Sequence, residues 1–124
     1  MRLSKIGNQE GGAYSPYVVS KGMMYISGQL PIRDGEDTAV PGGIGPQTRQ
    51  VLEQVERLLA MEGLGRDSVV MCRAYLEDVS MWAEFNRVYA EFFRGHKPAR
   101  IAVAVGPMDF GACIELEAIA ELPD

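Results

Sequence analysis

Arg100 opens an apolar run, Ile101 to Val105, directly after Lys97-Pro98-Ala99. If that run is a strand, alternation puts Arg100 on the side of Ala102 and Ala104, whose small side chains leave room around a guanidinium. Such a group can grip a carboxylate through two parallel N–H bonds. The same residue also suits a strand end facing solvent or a pair with a surface acid. Glu115 and Glu117 stand inside the apolar run Ala112 to Ala120. A carboxylate there is costly unless it is paired or neutral, which makes each a candidate general acid or base. Pairing with Arg73 or Arg100 across strands explains either acid equally well. Ser27-Gly28-Gln29 closes another strand-like run, where Gly permits close approach to a ligand or simply makes a turn.

Other reactive side chains give weaker signals. Cys72 and Cys113 are too few and too far apart for a disulfide framework, and each lies in an apolar run where a free thiol is expected. Cys72 reads as core. Cys113 shares the Glu115 side of its strand but has no neighbouring His to activate it. His96 follows Gly95 in a loop, and one His with two distant Cys provides no zinc-ligand spacing, so no metal site is expected. Residues 28–46 hold a high density of Gly and Pro but lack the Gly-Lys-Ser/Thr ending of a phosphate loop. A connection that long in a small chain is often functional.

These groups must be held by a short list of elements. Tyr17–Ser20 and Met23–Ser27 flank Lys21-Gly22 as a hairpin. From Gln47 to Met61, Val51, Leu52, Val55, Leu58 and Leu59 recur at helical spacing, with Gly63 as the stop. Val69 to Leu76 has strand length and composition. Alternation there groups Val70, Cys72, Ala74 and Leu76 on one side and Val69, Met71, Arg73 and Tyr75 on the other. Asp78 or Ser80 caps a second helix with Met81, Phe85, Val88, Tyr89 and Phe92 on its apolar face and Gly95 at its end. Strands Ile101 to Val105 and Ala112 to Ala120 complete the order.

With 124 residues, the chain fits one domain spanning residues 1–124. Two amphipathic helices cover one face of a sheet, so the class is α+β, a two-layer sandwich. The other face is half apolar, with Cys113 and Ile119 alternating with Glu115 and Glu117, which predicts burial by another subunit. A net charge of −5 and the lack of a basic, aromatic-interleaved stripe disfavour nucleic acid. Apolar stretches are far too short to span a bilayer, and the first eight residues carry two cations with no apolar segment behind them. A cytoplasmic protein is the expectation.

Read together, these pieces resemble the RidA (YjgF) family of reactive-intermediate deaminases. The likeness rests on Pro98-Ala99-Arg100, then Ile114-Glu115-Leu116-Glu117-Ala118-Ile119-Ala120, with Ser15-Pro16-Tyr17, Ile26 to Pro31, Gln47 to Leu52 and Phe85-Asn86 through Phe93 in order. It covers residues 13 to 120, and its motifs are specific jointly rather than singly. The resemblance implies a chorismate mutase-like fold and a homotrimer whose sheets form a central barrel, with clefts between subunits. It implies a cofactor-free hydrolysis of 2-enamino and 2-imino acids such as 2-aminoacrylate, giving a 2-keto acid and ammonia. In that scheme Arg100 holds the substrate carboxylate and Glu115 positions or deprotonates the attacking water. Tyr17, Ser27, Gly28 and Asn86 shape the pocket, and Ala102 lines it. The match departs at Ile101 and Ala102, where many members carry a Ser-Cys pair, at Tyr14-Ser15 in place of Ile-Gly, and in the Gly/Pro-rich loop. Two other readings compete: a non-catalytic trimer that binds small carboxylates as a sensor, and an endoribonuclease or translation inhibitor, which the charge disfavours.

Overall fold

The structure, a computed structural model, describes residues 1–4 and 13–124. Residues 5–8 of the N-terminal stretch read above lie outside the described residues. Six strands form one sheet: β1 (Arg2–Leu3), β2 (Tyr17–Ser20), β3 (Met23–Gln29), β4 (Val69–Leu76), β5 (Ala99–Ala104) and β6 (Ile114–Glu121). Their order across the sheet is β1-β2-β3-β6-β4-β5. Helices α1 (Ile44–Met61) and α2 (Trp82–Phe93) pack together on one face. The fold is therefore the expected α+β two-layer sandwich.

Local chemistry explains the elements. Lys21 and Gly22 both adopt positive φ, 51° and 77°, which matches a two-residue hairpin turn to the twist of its strands. Asp78 accepts a bond from the Ser80 amide at 2.9 Å, capping the single 3-10 turn that leads into α2. Arg94 and Gly95 leave α2 through left-handed backbone, φ 52° and 93°. The β4–α2–β5 segment is the one parallel crossover among the described strands, and it carries Cys72 opposite Arg100.

Several boundaries differ from the sequence reading, β5 and β6 among them by one or two residues at each end. Helix α1 begins at Ile44, three residues before Gln47, because Pro46 falls in its first turn, where a missing amide costs nothing. The long loop is correspondingly shorter, since β3 also runs on to Gln29. Strand β4 shifts register between Val69 and Met71, so Val69, not Val70, is fully buried against the helices. This bulge adds one residue and breaks the strict alternation. Strand β1 went unread because two residues carry no periodic signal.

Alternation holds along β6 and β5. Ile114, Leu116, Ala118 and Ala120 face the helices and are buried, while Glu115, Glu117 and Ile119 lie on the open face. On β5 the same open face displays Ile101 and Val103, 49% and 39% exposed, with Val105 55% exposed just beyond. Tyr25 of β3 is also exposed there.

Candidate functional site

Strand β3 is where the open-face site is made. Its pairing with β6 slips by one residue between Ile26 and Gln29, so Ser27 and Gly28 bulge toward Glu115. A Cβ on Gly28 would lie 2.7 Å from Glu115 Oε2, so the carboxylate occupies the space that a side chain would fill. Here the glycine is required by proximity rather than by backbone angle. Ser27 is fixed by its amide to the Pro16 carbonyl at 3.0 Å and by its hydroxyl to the Ser15 carbonyl at 2.6 Å. Gln54, on α1, donates to Gln29 Oε1 and to the Leu30 carbonyl and thereby fixes the exit of β3. These residues line a cavity of about 710 Å3 whose remaining wall includes Tyr14, Leu30 and Ile32.

Glu115 and Glu117, the two open-face acids of β6, differ in partners. Glu117 accepts from Arg73 Nη1 and from the Tyr75 hydroxyl, each at 3.1 Å, so one of the two is structurally paired, as the cross-strand alternative allowed. Glu115 has neither hydrogen bond nor ion pair among the described residues, although it faces Tyr75 across the ladder.

On the helix side, Arg100 donates from Nη1 to Asn86 Oδ1 at 2.7 Å and lies against rings of α2. It makes no ion pair among the described residues, unlike Arg2, Arg49, Arg57, Arg66, Arg73 and Arg87. With Asn86, Tyr89, His96, Lys97 and Pro98 it borders a second cavity of about 270 Å3. His96 is committed elsewhere, its Nε2 bonding the Val69 carbonyl at 2.7 Å. Ala102 packs at the core edge on the Arg100 side.

Within one chain these two groups do not meet. Arg100 pairs with Cys72 on β4, which pairs with Ala118 on β6. Glu115 is therefore two strand spacings, roughly 10 Å, and a further 10 Å or so along the strand from Arg100. They also lie on opposite faces. Gly28, Ser27 and Glu115 come together at one cavity, and Arg100 and Asn86 at the other. Tyr17 lines neither: it is fully buried, and its hydroxyl donates to Glu62 Oε2 at 2.6 Å.

Sequence reasoning missed Gln54 and its partner Gln29. The available signal was a polar residue in the apolar stripe of a helix: Gln47 and Gln54 both lie among Val51, Val55 and Leu59 and are buried. Gln47 donates to the Val40 and Gly111 carbonyls and accepts the Cys113 amide, tying two loops together.

Gly28→Ala tests the open-face contact. Its φ is not in the left-handed region, so the backbone tolerates alanine, but the carboxylate must move. The expected result is a Tm within about 3 °C of wild type and a loss of at least about tenfold in kcat/KM.

Neither thiol is activated by its surroundings. Burial pushes Cys72 up from 9.0 to about 11, and burial also raises Cys113. Because the folded thiol holds its proton more tightly than the unfolded one, its contribution is complete below pH 9 and is lost as pH rises toward 11. Urea unfolding should show stability falling by up to about 1.4 kcal/mol per pH unit across that window. Cys72→Ala should flatten the fall.

Comparison with known proteins identifies the family and the fold. The family model described as Endoribonuclease L-PSP matches residues 8–122. A RutC family protein of Pyrococcus horikoshii is 40% identical over 109 residues, 88% of this chain and 86% of that protein. RidA from the Antarctic bacterium Psychrobacter sp. PAMC 21119 superposes with a TM-score of 0.81 at 32% identity, covering 92% of each chain. The YjgF gene product of E. coli gives 0.81 and 32%, with 90% of each chain covered. A sheet of this order, two helices on one face and a match over nearly the whole length identify the chain as a member of the RidA/YjgF family, the family of Endoribonuclease L-PSP.

Proposed function

We propose that this protein is a cofactor-free hydrolytic deaminase of 2-imino and 2-enamino acids, with each site assembled from two copies of the chain. The observation that carries this reading is the incompleteness of both half-sites: among the described residues Arg100 is a cation without an acid, and Glu115 is an acid without a cation. Asn86 bonds the first, and Gly28 leaves the space that the second occupies. Exposed Ile101, Val103 and Val105 on the open face supply apolar surface for a partner, as a homotrimer with intersubunit clefts requires.

In this mechanism the substrate carboxylate sits on the guanidinium of Arg100, and the imine carbon is presented to Glu115 of a second copy. A water deprotonated by Glu115 adds its oxygen to the carbon, and the C=N pair moves onto nitrogen, which is protonated. The tetrahedral adduct then re-forms a C=O bond and expels ammonia, so imino acid and water become 2-keto acid and ammonia. An imine is already electrophilic, so orientation and a placed base suffice. Two free thiols suit a reducing compartment such as the cytoplasm. Ribonuclease chemistry finds less support, since the charge is −5 and His96 is tied to Val69.

The test is to generate 2-aminoacrylate in situ with a pyridoxal-phosphate lyase and follow its decay by semicarbazide trapping. Wild type should accelerate the decay. If it accelerates none of a series of amino-acid-derived imines, the chemistry is not catalysed and a carboxylate-binding trimer is the better reading.

A further inference from the structure

Three rings lie within 6 Å of the Arg100 guanidinium carbon: Tyr89 at 4.9 Å, Phe85 at 5.5 Å and Trp82 at 5.7 Å from their centroids. All come from α2, at positions three and four apart, and so share one side of the helix. Phe85 and Tyr89 are buried and belong to the core, so their packing needs no further reason. Trp82 does not belong to it. It is the first residue of α2, it is 43% exposed, and it is the chain's one tryptophan.

We propose that Trp82 is a positioning residue for carboxylate recognition, holding the Arg100 guanidinium in the orientation that Asn86 sets. This rests on the reading of Arg100 as the substrate clamp. A ring attracts a cation through its quadrupole without consuming N–H donors. An acid in the same place would consume them and neutralise the charge. Asn86 takes one N–H of Nη1, and the rings leave the remaining donors for a bidentate ligand. Trp82 is the ring at the solvent edge of this group, where an untethered arginine would swing away.

The argument predicts a split between binding and chemistry. Trp82→Leu keeps an apolar side chain but removes the ring, and should raise KM by about three- to tenfold with kcat within about twofold of wild type. Trp82→Phe should stay within about twofold of wild type in both. Because Trp82 adjoins the clamp, titration with pyruvate should change its fluorescence in the wild type and leave it unchanged in Arg100→Ala. A Trp82→Leu enzyme with wild-type KM overturns the inference while leaving the clamp intact. So does Trp82→Phe falling as far as Trp82→Leu, which would make the role one of bulk. An Arg100→Ala enzyme as active as wild type overturns the clamp itself, and the Trp82 inference with it.

Discussion

Arg100→Ala is expected to lower kcat/KM for 2-imino acids by about a hundred- to ten-thousandfold while leaving the protein folded. A bidentate guanidinium–carboxylate pair makes two charge-assisted bonds, each worth roughly 1.5–3 kcal/mol, and both vanish in the variant. Among the described residues the other donors bordering that cavity are the Asn86 amide nitrogen, which is neutral, and Lys97, a flexible point charge, and neither reproduces the guanidinium fork. The structural cost is small, because Arg100 has no ion pair to break among the described residues and loses one neutral partner and its ring contacts. Stability should fall by about 1–2 kcal/mol. Arg100→Lys keeps charge without the fork and should recover only part of the activity. Steady-state kinetics beside a thermal melt separate the two effects, and a variant that loses activity only because it unfolds would contradict this account.

The second large effect concerns the open face. Val103→Glu puts a carboxylate in the middle of the exposed apolar row formed by Ile101, Val103 and Val105. In a single chain this surface meets water, and such a substitution shifts stability by about 0.5 kcal/mol or less. At a subunit interface the same carboxylate is buried without a partner, which costs several kcal/mol. The expected outcome is a folded monomer by light scattering that neither binds pyruvate nor hydrolyses imines. A proven monomer with wild-type turnover would place the whole site within one chain.

Much of the sheet was legible because side-chain direction in a strand follows a period of two. The separation of Ile114, Leu116 and Ala118 from Glu115 and Glu117 follows from that rule and holds in the structure. It fails at Val69 and at Ser27-Gly28, where a bulge adds a residue. A bulge is a property of a strand pair, so no single strand announces it. At Gly28 the bulge brings the backbone against Glu115.

Tyr17 illustrates a different limit. Its motif, Ser15-Pro16-Tyr17, suggested a place at the pocket, but pairing with Ile26 turns it toward the helices and Glu62 takes its hydroxyl. Which side of a hairpin faces the helices is decided by the layer packed on it, not by the hairpin's own residues. The distinction between Glu115 and Glu117 was equally hidden, because it depends on Arg73 lying directly across the ladder from Glu117 and on the Tyr75 hydroxyl, opposite Glu115, reaching diagonally to Glu117. Likewise, alternation placed Arg100 beside Ala102 but gave no relation to the faces of β6 two strands away. That relation is the observation on which the proposed intersubunit site rests.

The central claim is that Arg100 of one copy and Glu115 of another make one site, and subunit complementation tests it most directly. Arg100→Ala and Glu115→Gln would each be prepared as inactive protein, then unfolded together in equal amounts, refolded and assayed for imine hydrolysis. Random assembly leaves roughly a quarter of the interfaces with both residues intact, so the mixture should recover about a quarter of wild-type activity. A mixture no more active than either variant alone, with assembly of mixed oligomers verified, would contradict the account.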